Sequence, residues 1–534
     1  MTSKLDAAAA AWRAWLGEAQ VDDAATAQAR YGADTTAAGR QVVLALRVLR
    51  RDQVPEVVRI AAMHGQPIHP ISTGRNWGYG SALPAEDGCV LLDLGPLRQI
   101  VDFDAELGVV TVEPGVTQGD LADFLAKGGH PFLVPVTGAG PSCSLLANAL
   151  ERGYGVTPHT DHFAAVTWLE AVLADGTVHR GMLEEAGGLE LAQLFRWGLG
   201  PYTQGLFTQS GMGIVTQMSI ALARRPACVA VCLFSLKDDA LLEPAALAVR
   251  SAMQRLNPTL GAVNLMNRHR VLSMSAPYPW ERLNAQGLID EETVAELGRR
   301  FQVFPWTGFA TLYGTARMVK AAQAELRHML SGIASRLMFV SPGRADTLAR
   351  LARWVPGPAG SGIRKLTQSL RSSLQLVAGR PNETALPLAY WRHRQPEQAG
   401  SPRNPAADGC GLIWYAPLVP MRGPAVRRYV NLVHEVTHRH GMEPLITFTT
   451  VGDRLFDSTV PLVFDRQDPA ACARAQACWD ALLTEGRAAG FFPYRFPIGG
   501  MAQLRDMAPQ SSAFARRLQA AVDPQGLIAP GRYR

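Results

Sequence analysis

The sequence predicts an α+β protein with more than one domain. Its 534 residues are too many for a single hydrophobic core, so at least two domains are expected. Short helical and strand patterns alternate through the first half, and a longer α+β region begins after residue 225. Hydrophobic residues make up 47% of the chain and charged residues 18%, as in ordinary folded proteins.

Charge and cysteine content exclude several classes of protein. The net charge of +6 is small for this length, and no run of Lys and Arg predicts a nucleic-acid partner. Weak steering of an anionic substrate is the most that this charge supports. The seven cysteines are scattered without a CxxC pair, which argues against a disulfide framework and against a structural zinc site.

The N-terminal segment and the hydropathy pattern predict a cytoplasmic protein with no membrane partner. The first residues carry charges and lack an apolar stretch of the kind that a signal peptide needs. No apolar run reaches the length of a membrane-spanning helix.

The first elements follow from apolar periodicity. Helices are expected at 5–19, 22–30 and 53–65, and an extended segment at 67–72. Strands are expected at 89–94 and 109–115, where the second one stops at a Pro-Gly pair.

The next elements are indicated by their ends. Thr117, with Asp120 three residues later, resembles a capping box that starts a helix running to 128–129. Residues 166–178 predict a hairpin, because an Asp-Gly turn at 175–176 follows an apolar run.

The pattern changes near 223–225. A strand is predicted at 229–236, then a helix from 238 to about 256, and later a helix at 426–440. Proline and glycine interrupt the chain at 356–358, and 395–408 has the composition of a loop.

A glycine-rich loop at 70–80, PISTGRNWGYG, directly follows an apolar segment. Glycines let backbone N–H groups approach a ligand, and consecutive N–H groups can bind a pyrophosphate. A glycine-rich surface turn explains the same loop by itself. The chain has no GxGxxG after its first strand, so a Rossmann site is not expected and this loop becomes the best phosphate-binding candidate.

Collinear motifs then resemble the vanillyl-alcohol oxidase / p-cresol methylhydroxylase (PCMH) family of FAD enzymes. They are the 70–80 loop, VEPGVT at 112–117, NALERG at 148–153, TPHTDH at 157–162, GPYTQGLFTQSGMGIVT at 200–216, PYR at 493–495 and DPQGLIAPG at 523–531. Matches at both ends of the chain are more specific than any one short motif.

The resemblance implies a two-domain PCMH-type FAD-binding fold with an α+β cap domain. The FAD domain would be 1–225, the cap would be 226–484, and 485–534 would return to the FAD domain. A homodimer and FAD as cofactor are implied as well. The implied cofactor-binding residues are Thr73, Gly74, Arg75, Asn76, Trp77, Pro135, Thr137, Gly138, Ser142, Ser144, Asn148, Glu151, Gly153, Gly155, Val156, Gly211, Gly213, Ile214, Val215 and Arg532.

The same resemblance implies the chemistry. Tyr79, Tyr494 and Arg495 match the family residues that hold a phenol as its phenolate. A guanidinium and two hydroxyl donors stabilise an oxyanion and lower the pKa of a phenol, which is near 10 when free. The predicted function is therefore transfer of a hydride from a phenolic or other alcohol-type small molecule to flavin N5.

The chain departs from the family at several positions. Val136 stands where oxidases of the family carry an acid, and Val156 stands where they carry a tyrosine. The flavin-linking side chain is expected at Ser458, and the other family tether corresponds to Arg75. Neither side chain is a good nucleophile, so FAD is predicted to be bound without a covalent link.

Two alternatives remain at this point. Residues 434–438 read HExxH on a predicted helix, which would suit a zinc hydrolase, although a solvated helical face is the favoured interpretation and no metal is expected. A flavin-fold protein that binds a ligand without turnover is the other alternative, and Val136 is the residue that supports it.

Overall fold

The computed structural model describes residues 3–343, 345, 347, 350, 370–394 and 402–533. The predicted interruption at 356–358 and the first half of the predicted loop at 395–408 lie outside these residues. The helices are Lys4–Leu16, Ala24–Tyr31, Val54–His64, Gln118–Lys127, Leu145–Leu150, Met182–Glu185, Leu189–Leu194, Leu242–Leu256, Arg268–Ser275, Glu291–Phe301, Ala316–Met329, 370–377, Gly423–Arg439, Pro469–Ala488, Met501–Met507 and Pro509–Val522.

Twenty strands accompany these helices in the described part of the chain. They are β1 Val21–Asp22, β2 Ala45–Arg47, β3 Ile68–Ile71, β4 Val90–Asp93, β5 Ile100–Asp104, β6 Val109–Val112, β7 Phe132–Leu133, β8 Val166–Val172, β9 Val178–His179, β10 Ile214–Ala221, β11 Ala223–Arg224, β12 Cys228–Leu236, β13 Leu260–Asn267, β14 Trp306–Gly314, β15 Arg336–Val340, β16 Cys410–Tyr415, β17 Pro417–Pro420, β18 Thr447–Val451, β19 Leu455–Asp465 and β20 Phe492–Pro493.

Two larger sheets form the first half of the molecule, together with a two-stranded sheet of β7 and β11. The first has the order β1-β2-β4-β3, with β4 parallel to both β2 and β3. The second is antiparallel, with the order β5-β6-β10-β8-β9. The predicted hairpin at 166–178 is confirmed, because Ala171 pairs with His179 and Val172 with Val178.

A nine-stranded antiparallel sheet forms the second half. Its order is β15-β12-β14-β13-β18-β19-β17-β20, and β16 pairs with β19 beside this path. Strand β16 also meets the glycine-rich loop, since Trp414 N donates to Gly78 O at 3.2 Å. The large sheet therefore contacts the loop that the sequence marked as a phosphate-binding candidate.

The segment after residue 485 contacts both halves. Strand β20 joins the large sheet, while Ile528 forms a parallel bridge with Ile68 of β3. The bridge is held by Ile68 N donating to Leu527 O and Ala529 N donating to Ile68 O, both at 2.8 Å. The predicted boundary after 484 falls inside helix Pro469–Ala488, and the division into three segments stays a prediction.

Local chemistry explains where the helices begin and end. The predicted capping box at Thr117 and Asp120 is confirmed, since each side chain accepts a hydrogen bond from the other residue's backbone N–H. The helix predicted for 5–19 ends earlier, at Leu16, because Gly17 has φ +91°, which no helix accommodates. The predicted 22–30 helix starts at Ala24, after Asp23 caps it.

The helix predicted from 238 begins later and after a tighter turn. Asp239–Leu241 is a 3₁₀ turn, and the α-helix starts at Leu242 and ends at Leu256. The helix predicted for 426–440 starts three residues earlier, at Gly423, with a proline in its first turn. No helix in the described ranges combines the length and apolar content needed to cross a membrane.

Candidate active site

A large cavity of about 410 Å³ lies where the glycine-rich loop, the second sheet and the large sheet meet. Its wall includes the loop after β3, the start of β10, and residues from β16 and β19. The size and mixed polarity are typical of a cofactor or small-molecule site.

The glycine-rich loop follows β3 directly and folds back on itself. Asn76 O accepts hydrogen bonds from Tyr79 N at 3.1 Å and Ser81 N at 2.9 Å. Gly78 has φ +77°, and a Cβ there would lie 2.2 Å from Trp414 Cδ1. Glycine is therefore required at 78 both by the backbone conformation and by the approach of β16.

The residues present fit FAD. His69 Nδ1 and Ser81 Oγ are buried without a hydrogen-bond partner among the described residues, and both residues line the cavity. Unsatisfied buried polar atoms are costly, so a polar ligand in the cavity would stabilise them. The backbone of 73–77, which also lines the cavity, supplies donors suited to a pyrophosphate.

Arg495 is the best-connected cation of the cavity. Its Nε donates to Glu151 Oε2 at 3.1 Å, and its Nη2 donates to Asn76 Oδ1 at 2.5 Å. The guanidinium carbon lies 4.1 Å from the centre of the Tyr79 ring. Arg532 donates to the other oxygen of Glu151. Two arginines thus share one carboxylate, and Arg495 is fixed on three sides.

Opposing effects set the ionisation of this cluster. Burial lowers the pKa of Arg495, but the negative charge of Glu151 outweighs burial and raises it. Burial raises the pKa of Glu151, but Arg532 and Arg495 outweigh burial and lower it. Arg495 therefore stays charged at any pH at which the protein is folded.

Three tyrosines, Tyr79, Tyr494 and Tyr154, line the same cavity, and Arg495 interacts electrostatically with the first two. Burial raises the pKa of Tyr79 and Tyr494 above the ordinary range, and it raises the pKa of Tyr154 to about 12. The rings of Tyr154 and Tyr494 meet edge to face, with centroids 5.3 Å apart. Within the described ranges, none of the three hydroxyls has a hydrogen-bond partner, so all three are protonated donors available to a ligand.

Asp457 lies behind these tyrosines on β19. Its side chain is buried, and Oδ1 has no hydrogen-bond partner in the described part of the chain. Burial raises the pKa of Asp457 to about 7, although the charge of Arg495 lowers it. Its charge in turn raises the pKa of Tyr494 and Tyr79. Asp457 is therefore an acid that titrates near neutral pH beside the cluster.

Most of the predicted site residues meet at this cavity. Those that line it are Thr73, Gly74, Arg75, Asn76, Trp77, Tyr79, Thr137, Gly138, Ser144, Asn148, Glu151, Gly153, Gly213, Ile214, Val215, Tyr494, Arg495 and Arg532. Their convergence supports a common site, and their individual roles stay predictions.

Five predicted cofactor residues do not line the cavity: Pro135, Ser142, Gly155, Val156 and Gly211. Close packing explains the two glycines, since a Cβ would lie 2.2 Å from Val136 O at Gly155 and 2.3 Å from Ile528 O at Gly211. The carbonyl of Val156 accepts a hydrogen bond from Tyr313 at 2.9 Å. These residues support the wall rather than face the cavity.

The positions that depart from the family are also clear. Val136 is fully buried in an apolar cluster and supplies no acid to the cavity. Ser458, the predicted tether position, is fully buried and does not line the cavity, while its neighbour Thr459 does. Side chains alternate along a strand, so an offset of one residue exchanges the two faces.

Sequence reasoning missed several residues of the site. His69, Tyr154, Arg270 and Trp414 line the cavity, and Asp457 lies beside it. His69 and Tyr154 directly adjoin the motifs at 70–80 and 148–153 and could have been found from them. Arg270 and Asp457 lie in segments without a motif, and only the packed structure brings them to the site.

The HExxH segment does not form a metal site. His438 and Glu435 are exposed, and burial lowers the pKa of His434 to about 4. His438 Nδ1 lies 3.0 Å from His434 O within its own helix. In the described ranges, no group of three His, Cys, Asp or Glu residues has a geometry that could hold a metal ion.

The fold and this cavity define an FAD-dependent oxidoreductase, and comparisons with known proteins agree. A family described as "FAD binding domain" matches residues 44–181. The 1'-carboxy-chondrochloren decarboxylase of Chondromyces crocatus is 33% identical over 533 residues, covering 100% of this chain and 98% of that protein.

Two further proteins are similar to this chain. The 4-cresol dehydrogenase [hydroxylating] flavoprotein subunit of Pseudomonas putida is 28% identical, covering 90% of this chain and 85% of that protein. A crystal structure of p-cresol methylhydroxylase with substrate bound gives a TM-score of 0.87 at 26% identity, covering 99% of this chain and 96% of that one. The chain belongs to the PCMH-type family of FAD enzymes, and FAD is its cofactor.

Proposed function

We propose that this protein is an enzyme of the vanillyl-alcohol oxidase type, which oxidises a phenol or a related alcohol-type small molecule. The observation that carries the proposal is the cluster of Arg495, Tyr79 and Tyr494 at the cavity. A fixed guanidinium next to two protonated hydroxyls is suited to an aryl oxyanion.

The cluster acts on the acidity of the substrate. Arg495 keeps its charge, and the two tyrosines stay protonated, so all three groups favour the ionised form of a bound phenol. An ionised phenol pushes electrons toward its para substituent, which helps a hydride leave the benzylic carbon. FAD, when bound, supplies the acceptor for that hydride at N5.

Relatives support a phenolic substrate. The names of the Pseudomonas putida subunit and of the structural neighbour contain 4-cresol and p-cresol, which are the same 4-alkylphenol. The name of the Chondromyces crocatus relative specifies a carboxylated compound. A phenol whose para substituent is larger and more polar than a methyl group is consistent with all three names.

Anaerobic mixing with substrates tests this function. We expect a 4-alkylphenol to bleach the flavin absorption band, and its O-methyl ether not to, because the ether cannot ionise. Equal bleaching by the phenol and its ether would contradict a role for the oxyanion. Binding of every phenol without bleaching would instead favour a ligand-binding protein without turnover.

We also propose that FAD is held without a covalent bond. Thr459, the β19 residue that lines the cavity, is an alkyl alcohol, and Arg75 stays protonated, so neither is an adequate nucleophile. Acid precipitation should release the yellow colour into the supernatant. Colour that remains with the denatured chain would contradict this. His69 would then be the first residue to map, because its neutral imidazole lines the cavity and burial lowers its pKa to about 3.

We also propose a domain organisation and an oligomeric state. Segments 1–225 and 485–534 would form the FAD domain and 226–484 the cap, with two copies of the chain forming a homodimer in the cytoplasm. Sedimentation of the holoenzyme tests the dimer, and limited proteolysis followed by mass spectrometry tests the division into segments.

A further inference from the structure

Arg270 is a buried cation in the wall of the cavity. It lies in helix Arg268–Ser275, directly after β13, and its side chain is 8% exposed. Its helix packs against the Leu386–Tyr390 turn, and the apolar cluster at this contact includes Leu388 and Leu412, which also line the cavity. No part of this wall belongs to the 44–181 segment that matches the FAD binding domain.

No counter-ion for the guanidinium is found among the described residues. Nε and Nη1 are buried without a hydrogen-bond partner, and no ion pair reaches this side chain from any residue that the structure describes. Burial alone accounts for the change in its pKa, which is lowered to about 10, so no nearby carboxylate compensates the charge. A buried charge without a partner is strongly destabilising.

The whole cavity shares this imbalance. Among the described residues that line it, four are arginines and one, Glu151, is a carboxylate. Glu151 is already shared by Arg495 and Arg532. Arg75 lies in the glycine-rich loop, 5.8 Å from the centre of the Trp77 ring, where the pyrophosphate is expected. Arg270 is the arginine for which neither the described part of the chain nor the expected pyrophosphate supplies an anion.

We propose that Arg270 binds a carboxylate carried by the substrate. The inference rests on the proposed function, because it requires a small-molecule substrate in this cavity. A planar guanidinium donates two parallel hydrogen bonds to the two oxygens of a carboxylate, and the apolar wall strengthens that pair by excluding water. The substrate class is thus a phenol that bears an acidic side chain, with Arg495 at one end and Arg270 at the other.

The pyrophosphate of FAD is the other source of anionic oxygens in this cavity. The position of Arg270 favours the substrate, since it projects from the half of the molecule that lies outside the FAD-domain match, among apolar residues suited to a substrate ring. The two sources predict different losses when Arg270 is neutralised.

Paired probes measure the carboxylate directly. Anaerobic holoenzyme is titrated with 4-hydroxyphenylacetate and 3-(4-hydroxyphenyl)propanoate, and with the neutral amide of each acid. The readout is the dissociation constant obtained from the shift of the flavin spectrum. We expect at least one of the two acids to bind at least ten times more tightly than its own amide.

Three variants locate the effect. Arg270→Met should reduce the preference for the acid to less than threefold while FAD affinity, titrated on the apoprotein, stays within threefold. Arg270→Lys should recover part of the preference. Arg268→Met, two residues earlier in the same helix and not lining the cavity, is the matched control and should keep it.

The outcomes separate the explanations. An acid preference that survives Arg270→Met overturns the inference and leaves the proposed function intact. A tenfold loss of FAD affinity with the preference retained assigns Arg270 to the pyrophosphate and overturns it as well. Failure of every acid and every amide to bind overturns both the inference and the phenolic function.

Stability supplies an independent readout. Removing an unpaired buried charge should raise the melting temperature of Arg270→Met apoprotein above that of the wild type. A lower melting temperature would show that the guanidinium supports the fold, which contradicts a role reserved for a ligand.

Discussion

Arg495 and Arg270 lie in the wall of one cavity, but they are held in opposite ways. Arg495 donates to Glu151 and Asn76 and lies against the ring of Tyr79. Arg270 is equally buried and has no partner in the described part of the chain. The first is preorganised before a ligand arrives, while the second becomes stable only when one does. A preorganised cation stabilises the transition state of the reaction, whereas an unpaired buried cation selects for ligands that carry an anion.

The largest loss of stability is expected on removal of Glu151, the carboxylate whose ion pair distinguishes Arg495 from Arg270. Glu151→Gln leaves Arg495 and Arg532 without their shared partner, and breaking a buried pair costs about 3 kcal/mol or more. Denaturant unfolding of the apoprotein measures the loss.

The control is Glu56→Gln, which removes an exposed pair with Arg59 and should cost less than about 1 kcal/mol. Equal losses in the two variants would mean that Glu151 does no more than a surface carboxylate.

Arg495→Met tests the reaction side of the comparison. Loss of a preorganised donor facing an oxyanion should lower kcat/KM for a 4-alkylphenol by about 2–4 kcal/mol of transition-state stabilisation. FAD content should be retained. Arg40→Met, at an exposed pair with Asp87, serves as the control. A change of less than about threefold, far below that range, would remove Arg495 from the proposed clamp.

Asp457 should make the stability of this region depend on pH. Its folded pKa of about 7 lies above the ordinary value of 3.8, so the folded state binds the extra proton. The stabilisation that this proton provides is complete below about pH 3.8 and is lost as the pH rises through about 7.

As the pH rises from 5 to 8, the free energy of unfolding should therefore fall less in Asp457→Asn than in the wild type. The expected difference is roughly 2 kcal/mol, measured by unfolding of the apoprotein at both values. Identical pH dependence in the two proteins would mean that Asp457 is already ionised in the folded state at pH 5.

Tyr154→Phe should have the smallest effect. The ring contact with Tyr494 is kept, and only a hydroxyl at the edge of the clamp is lost, so kcat/KM for a 4-alkylphenol should fall by less than about 1 kcal/mol. Tyr494→Phe is the matched comparison and should cost more. A larger loss at Tyr154 would place its hydroxyl on the oxyanion.

Sequence predicted the parts of the site that lie in continuous motifs. The 73–77 loop, Glu151 and the Tyr494-Arg495 pair all line the cavity, because each motif fixes its own local backbone. The same residues explain why FAD and the family could be recognised before any geometry was known.

The remaining parts depend on packing between distant segments. Arg270 becomes a cavity residue only because helix Arg268–Ser275 packs against the Leu386–Tyr390 turn, which is distant in sequence. Ser458, predicted as the tether position, does not line the cavity whereas Thr459 does, since sequence spacing gives a position along a strand but not the face toward which its side chain points. The capping box at Thr117 was predicted correctly because it involves only four consecutive residues.

The pairing of Ile528 with Ile68 has a consequence for biosynthesis. It joins segments that the ribosome makes far apart in time, and Ala529 and Arg532, just beyond this pairing, both line the cavity. Translation must pass residue 532 before the cofactor can find a complete binding site. Nascent chains stalled earlier should therefore remain colourless, whatever the supply of flavin in the cell.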